Sequence, residues 1–208
     1  VCVGGSGLYI DALCRGIADL PDPNPELRKK LREDYEKGGI EEIRFQLKFS
    51  DPEYYNEVDL ANPIRILRAL EVCYMTGKPF SVVRKQAQKQ RPFDIIKIGM
   101  CMERELLNNR INKRVDVMVN MGLLHEVETV CLYRNYTALN TVGYKEIFEY
   151  MDGNVTLQQA IENIKTNTRR YAKRQMTWFR RYDDINWIET DKCVSVRDHA
   201  LQIIENSK

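Results

Sequence analysis

The side chains best suited to ligand binding in this sequence are basic and lie close together. Residues 165–181, KTNTRRYAKRQMTWFRR, contain seven Lys or Arg and no acid, although the net charge of the 208-residue chain is only +2. On an ideal helix, with about 100° per residue, six of these cations share an arc of roughly 140° with Thr177. This basic ridge consists of Arg169, Arg170, Lys173, Arg174, Arg180 and Arg181. The other side carries Ile164, Tyr171, Ala172, Trp178 and Phe179.

Such a helix can anchor itself in a core by its aromatic side and offer the basic ridge to a polyanion, for which RNA is the obvious candidate. A solvated amphipathic helix is the alternative interpretation.

A glycine-rich turn near the start of the chain is a second candidate site. GGSGLYI, residues 4–10, follows the apolar VCV and predicts a turn from a strand into a helix. Several backbone N–H groups and the positive end of a helix dipole would then lie beside the Ser6 hydroxyl, which is the local chemistry of an anion site. Ser6 could also be the N-cap of the helix, and the two roles are compatible.

Two pairs of arginines have helical spacing. Arg65 and Arg68 are three residues apart in NPIRILRALEV, and Arg110 and Arg114 are four apart in RINKRVDVMVNMG, so each pair shares a helix face. A solvated basic face with loose ion pairing, such as Arg68 with Glu71, explains the spacing equally well.

Composition indicates a globular protein of the cytosol. The chain is 43% hydrophobic and 30% charged, and no stretch approaches the roughly 20 apolar residues that span a bilayer. Its six cysteines form no CxxC pair, which argues against a disulfide framework and a zinc site. With only two histidines, His-based catalysis is disfavoured. Because the chain opens on VCVGGSG without an initiator Met, we expect a fragment of a longer protein.

The elements that must position these residues predict an incomplete α/β fold that is mostly helical. Strands are expected at 1–3, 94–101 and 185–189, with helices between them, as in a parallel sheet. Asn-Pro pairs at 24–25 and 62–63 mark helix starts, and Gly77 marks a helix end. Further helices are predicted at 8–16, 40–49, 81–90, 103–121, 123–134, 156–182 and from 196 onward, and a loop at 135–141 leads into GYKEIFEYMDG. We therefore expect a core segment at 1–20, an inserted all-helical domain at 21–92, and the rest of the core at 93–208.

Five segments resemble, in order and approximate spacing, the tRNA dimethylallyltransferases, also called tRNA isopentenyltransferases. They are GGSGLYI, Asp51-Pro52 followed by NPIRILRALEVCYMTGKPFS, RINKRVDVMVNMGLLHEV, TVGYKE, and RRYAKRQMTWFRR. The resemblance runs from Val1 to about Glu189. It implies a parallel-sheet core related to P-loop kinases and the transfer of a dimethylallyl group from its diphosphate to N6 of an adenine next to the anticodon of tRNA, with Mg2+.

The resemblance also implies that the phosphate loop and the general-base aspartate precede the GGSGLYI strand. We therefore expect this fragment to bind but not to catalyse, and expect most Mg2+ ligands in the preceding segment, with no metal ligand in this sequence. The implied partners are the tRNA anticodon stem-loop and dimethylallyl diphosphate, without a membrane, in a protein that is monomeric when complete.

Individual roles follow from the resemblance position by position. Ser6 stands where most of the family has Thr, beside the reacting adenine, and keeps the hydroxyl. Ser6 and Arg114 are the implied catalytic residues, and Gly4, Gly5 and Arg114 would bind the diphosphate. The implied tRNA-binding residues are Arg28, Ile64, Arg65, Arg68, Asn140, Gly143, Tyr144, Lys145, Lys173, Arg174, Gln175, Thr177, Trp178 and Arg180.

Two other functions stay open at this stage. One is an isopentenyltransferase that acts on free adenine nucleotides, against which the helices at 21–92 and the basic ridge argue. The other is a non-enzymatic helical module that contacts nucleic acid or an acidic protein through its basic helix.

Overall fold

The structure is a computed structural model that describes residues 1–85 and 91–207. These residues form two compact units. One unit is Leu8–Asp94, and the other combines Val1–Gly7 with the chain from Ile95 onward. No helix of the described residues is both long and apolar enough to cross a bilayer.

The unit Leu8–Asp94 is built from helices whose ends are set by local signals. They are α1 (Gly7–Arg15), α2 (Pro25–Ser50), α3 (Pro52–Glu57), α4 (Pro63–Thr76) and α5 (Phe80–Lys85). The Asn24 side chain accepts the N–H groups of Glu26 and Leu27 at 3.0 and 3.1 Å, and the Asn62 side chain caps α4 by accepting the N–H of Arg65 at 3.3 Å. Gly77 ends α4 at φ 64°, in the left-handed region that glycine tolerates best.

The core of this unit lies between α2 and α4. A kink at Gly39, with φ 69° and ψ −166°, divides α2 in two, in agreement with the separate helix predicted from residue 40. Leu31, Ile43, Leu47, Ile66 and Leu70 are at most 2% exposed.

The second unit packs four helices against one another and carries a two-stranded sheet. Its elements are β1 (Lys97–Cys101), α6 (Arg104–Asn120), α7 (Leu123–Thr129), α8 (Tyr144–Met151), α9 (Leu157–Phe179), β2 (Ile185–Glu189) and α10 (Val196–Asn206). Single 3-10 turns lie at Cys131–Tyr133 and Thr137–Leu139. The strands are parallel, with Lys97 opposite Ile185 and Cys101 opposite Glu189. Val115, Val127, Ile147 and Ile164 are buried where α6, α7, α8 and α9 meet.

The predicted class, a mostly helical chain with parallel strands, is confirmed, and three details differ. Residues 1–3 form no strand, because no described strand pairs with them and their side chains are exposed. The helix predicted at 123–134 ends at Thr129 and gives way to a 3-10 turn. The short helix α3 was not predicted. Of the helix expected at 81–90, residues 86–90 lie outside the described residues.

Candidate nucleic-acid interface

The cations of α9 divide into a tethered group and an exposed group. The ammonium of Lys165 pairs with Asp116 at 2.8 Å and Glu162 at 3.1 Å. The Arg169 guanidinium donates to Asn112 Oδ1 at 2.5 Å and Thr166 Oγ1 at 2.9 Å. Since Asp116 and Asn112 belong to α6, Lys165 and Arg169 hold α9 against α6. Arg170 is exposed and donates to Asn167 Oδ1 of its own helix at 3.2 Å.

Four cations near the end of α9 are exposed and form no ion pair with any described residue. They are Lys173, Arg174, Arg180 and Arg181. Thr177 lies among them and donates its hydroxyl to the Lys173 carbonyl at 3.0 Å. This part of the basic ridge therefore keeps its charge available to an external anion.

Aromatic rings accompany these cations, contrary to the expected division of the helix into a basic and a core-facing side. The Arg181 guanidinium lies 4.0 Å from the centre of the Trp178 ring and donates Nε to the Trp178 carbonyl at 3.1 Å. Arg174 lies 5.7 Å from the Tyr171 ring, whose residue is 45% exposed. The prediction that Tyr171 anchors the helix is wrong, because the buried side of α9 is supplied by Ile164 and Ala160, about two and three turns earlier.

An open concavity of about 340 Å³ lies on this surface. It is lined by Lys173, Arg174, Thr177, Trp178 and Arg181. In a concave site of this kind, guanidinium groups can donate hydrogen bonds to phosphate oxygens and the indole ring can stack on a base.

The glycine-rich turn contacts α9 directly. The Gln175 amide donates to the Gly5 carbonyl at 2.9 Å. A Cβ at Gly7 would lie 2.6 Å from Cε2 of Trp178 and closer still to Cδ1 and Nε1, and a Cβ at Gly5 would collide with the Gln175 amide. The backbone can therefore approach Gln175 and Trp178 this closely only because both positions are glycine.

The Ser6 hydroxyl and Gly4 remain accessible at this turn. Both residues are exposed, and a Cβ at Gly4 would meet nothing within 4 Å. No hydrogen bond of the Ser6 side chain is found within the described residues, so its alternative role as a helix N-cap is not observed. The Trp178 indole N–H beside the turn is buried and has no acceptor within the described residues.

The loop of residues 140–145 is held to α9 by one buried carboxylate. Glu146, 6% exposed, accepts the Gly143 N–H at 2.8 Å and the Asn167 amide at 2.6 Å. Gly143 has φ 105°, a conformation that favours glycine. The Tyr144 hydroxyl donates to Glu126, and this hydrogen bond, with burial, raises the pKa of Tyr144. Asn140 and Lys145 are exposed.

Arg114 is exposed on α6 and has no hydrogen bond or ion pair with a described residue. At about 100° per residue it lies roughly 200° around the helix from Asn112, which faces α9. The described contacts do not bring Arg114 together with Ser6, Gly4 or Gly5.

In the unit Leu8–Asp94, two predicted tRNA-binding arginines share one buried partner. Glu71, 1% exposed, pairs with Arg28 at 2.8 Å and with Arg68 at 2.6 Å. Burial would raise the pKa of Glu71, but the hydrogen bonds from Arg68, Arg28 and the Asn24 N–H outweigh it and lower the pKa. Ile64 and Arg65 are exposed on the outer side of α4.

Three residues that shape these surfaces were absent from the predicted sites: Glu71, Glu146 and Arg181. Arg181 was recognised in the basic ridge, and its spacing from Lys173 and Arg174 could have placed it at the site. Glu71 was expected only as a loose partner of Arg68. An acid flanked by apolar helix positions, as in RALEV and YKEIF, is the signal that could have identified Glu71 and Glu146.

The implied Mg2+ has no ligand set in the part of the chain that the structure describes. No group of three or more His, Cys, Asp or Glu in these residues could hold a metal ion.

Comparison with known proteins shows which family this chain matches. The model of the IPP transferase family matches residues 1–182. The tRNA dimethylallyltransferase 1 of Bacteroides thetaiotaomicron is 48% identical over 199 residues, covering 96% of this chain and 65% of that protein. The chain thus spans slightly less than two thirds of this relative, consistent with a partial protein.

Two solved structures of similar proteins superpose on this chain. A eukaryotic dimethylallyltransferase acting on tRNA superposes with a TM-score of 0.74 at 27% identity, covering 98% of this chain and 56% of that one. The tRNA isopentenylpyrophosphate transferase of Bacillus halodurans superposes with a TM-score of 0.58 at 34% identity, covering 96% and 62%.

Proposed function

This chain belongs to the IPP transferase family, and on that premise we propose that the full-length protein transfers a dimethylallyl group from dimethylallyl diphosphate to N6 of an adenine next to the anticodon of tRNA. The chain described here supplies much of the surface that binds the anticodon stem-loop. The observation that carries the proposal is the cluster of four exposed cations without ion pairs in the described residues, at the end of α9 and just after it, next to the glycine-rich turn.

Phosphate binding is the physical role of those cations. Each cation that neutralises a phosphate releases condensed counterions, so binding weakens as salt rises, with a slope of about 0.7–0.9 per contact. Because Lys173, Arg174, Arg180 and Arg181 have no acidic partner in the described residues, RNA phosphates do not have to displace one. The helices at 21–92 act in this proposal as an inserted tRNA-binding domain.

The aromatic groups of the same surface suit a displaced base. The adenine must leave its stack for N6 to reach the allylic carbon, and an extruded base is held by stacking on aromatic or guanidinium planes. The Trp178 ring under Arg181 provides both kinds of plane in one concavity.

The transfer step requires stabilisation of the departing diphosphate. As the allylic carbon–oxygen bond breaks, negative charge grows on the diphosphate, and fixed N–H donors and cations near it lower the barrier. Arg114 and the backbone of Gly4 and Gly5 take this role, and the Ser6 hydroxyl faces the adenine. These roles are supported by the exposure of Arg114 and Ser6, whose side chains have no hydrogen-bond or ion-pair partner within the described residues.

The binding part of the proposal is tested by salt titration. Arg174→Ala should weaken binding of a synthetic anticodon stem-loop RNA and lower the slope of log K against log salt by about one. Arg197→Ala is the matched control, since it removes the same charge from an exposed position of α10, beyond the family-matched residues.

Equal slopes for the Arg174→Ala variant and the wild type would contradict the phosphate role.

The transfer reaction is tested on the full-length protein with radiolabelled dimethylallyl diphosphate. Incorporation into tRNA is expected, whereas incorporation only into free AMP would favour the nucleotide-directed enzyme.

A further inference from the structure

A buried carboxylate organises the arginines of the helical unit Leu8–Asp94. Glu71 lies on α4 and is 1% exposed. Its Oε1 accepts Nε of Arg28 at 2.8 Å and the backbone N–H of Asn24 at 3.0 Å, while its Oε2 accepts Nη1 of Arg68 at 2.6 Å. Arg68 also donates Nη2 to the Pro21 carbonyl at 3.2 Å.

The two arginines keep part of their donor capacity outside this cluster. A guanidinium has five N–H donors, and Arg28 uses only Nε on Glu71, which leaves both of its Nη groups. The side chains of Arg28 and Arg68 are 42% and 29% exposed. Arg28 also lines an open concavity of about 460 Å³ together with two further cations, Lys29 and Arg32, and two acids, Glu33 and Glu36. One edge of Arg28 is thus fixed from inside, and the other faces solvent.

We propose that Glu71 is a positioning residue for RNA binding: it fixes Arg28 and Arg68 so that their free N–H groups are presented to phosphate oxygens of the tRNA. The inference rests on the proposed function, because it concerns the same substrate. Glu71 itself is too buried to touch the RNA and acts only through the two arginines.

Two physical effects of Glu71 on RNA affinity have opposite signs. As an anion, it reduces the charge of the cluster of two arginines from +2 to +1, which disfavours binding of a polyanion. As a tether, it removes the rotamer freedom that Arg28 and Arg68 would otherwise lose when they bind phosphate, which favours binding. Glu71 is a positioning residue only if the second effect is larger than the first. A single substitution at Glu71 therefore decides between them, because the two effects change RNA affinity in opposite directions.

Glu71→Gln is the substitution that separates them, since it removes the charge and keeps the size. The variant should bind the synthetic anticodon stem-loop about tenfold more weakly than the wild type, on the order of a fewfold for each arginine released. Equal or tighter binding by a folded Glu71→Gln variant would overturn the inference, because charge alone predicts tighter binding. Circular dichroism and thermal unfolding establish that the variant is folded at the assay temperature.

Arg28→Lys tests the same idea without touching Glu71. Lysine keeps the charge but has no Nε–H and no second pair of donors, so binding should weaken about fivefold. Arg44→Lys is the matched control on the same helix: Arg44 donates Nη1 to Glu41 at 2.5 Å and Nε to the Leu60 carbonyl at 2.9 Å. The Arg44→Lys variant should bind the RNA with the affinity of the wild type.

The loss caused by Arg28→Lys should also shrink to less than about twofold in the Glu71→Gln background, because the two residues act through one contact. If Glu71→Gln does not fold, equal RNA affinities of Arg28→Lys and Arg44→Lys overturn the inference. Normal wild-type binding with a lowered slope for Arg174→Ala, but no loss for Glu71→Gln or Arg28→Lys, overturns this inference alone. Absence of wild-type binding overturns the proposed function as well.

Discussion

Substitution of Gly7 by alanine should disrupt the contact between the glycine-rich turn and α9. The added methyl group would lie 2.6 Å from Cε2 of Trp178 and nearer to two other ring atoms, whereas ordinary carbon contacts are about 3.5–4.0 Å. An indole ring cannot bend away as a flexible chain can, so either Trp178 or the turn must move by about 1 Å or more. Gly4→Ala is the matched control, because a Cβ at Gly4 meets nothing within 4 Å.

The structure bounds the size of the effect. Forcing an extra methyl group into a packed contact costs about 1–3 kcal/mol. If the turn instead detaches, the molecule loses the hydrogen bond from Gln175 to the Gly5 carbonyl, which is worth about 1 kcal/mol. The free energy of the native arrangement should therefore rise by about 1–3 kcal/mol in Gly7→Ala, and by less than about 0.5 kcal/mol in Gly4→Ala, as at ordinary surface positions.

Tryptophan fluorescence measures this contact locally. The chain has two tryptophans, so the assay uses Trp187→Phe as background, in which Trp178 is the sole tryptophan. Acrylamide should quench Trp178 more strongly in Gly7→Ala than in Gly4→Ala, because the indole N–H that is buried beside the turn becomes accessible. The same two variants should differ in RNA affinity, with the loss confined to Gly7→Ala. Identical quenching in both variants would refute the packing of the turn against Trp178.

Two further predictions concern catalysis and acid stability. Arg114→Ala in the full-length protein should lower kcat by about 10²-fold or more while tRNA affinity changes little, as steady-state kinetics and filter binding would show; equal losses would exclude a role on the diphosphate. Glu71 has a lowered pKa, so its ion pairs contribute stability above its unfolded pKa of about 4.3, and this contribution is lost as pH falls through the folded pKa. Urea unfolding between about pH 3 and 7 should show a smaller acid loss in Glu71→Gln than in the wild type, and parallel curves would contradict the assignment.

The parts of the fold that the sequence predicted are those set by neighbouring residues. Asn24 and Asn62 begin helices because their own side chains cap N–H groups two or three residues ahead. Gly77 ends a helix through its own backbone conformation. A strand instead needs a partner, and residues 1–3 have no described one, so an apolar triplet followed by glycines was insufficient evidence.

The candidate site shows the same division between local and distant information. Composition located the basic ridge, but whether a cation is free depends on residues far along the chain: Arg169 is bound by Asn112, 57 positions earlier. Glu71 reaches Arg28 across 43 positions. The turn at residues 4–7 meets Gln175 across 170 positions, a contact that no local pattern contains.

Contacts with other residues of the protein therefore reduce the number of cations near α9 that are available to bind RNA in the proposed function. If all seven cations of residues 165–181 bound phosphates, they would contribute a salt slope of about 5–6, whereas the four exposed ones from Lys173 to Arg181 alone would contribute about 3–4. Lys165 is excluded from the smaller figure, since its charge is already compensated by Asp116 and Glu162. The proposed function therefore assigns the affinity to residues 173–181, the end of α9 and the two residues after it, which also include Trp178. In the proposed function, binding and positioning of the base would thus depend on the same short segment, which the glycine-rich turn contacts through Gln175 and Trp178.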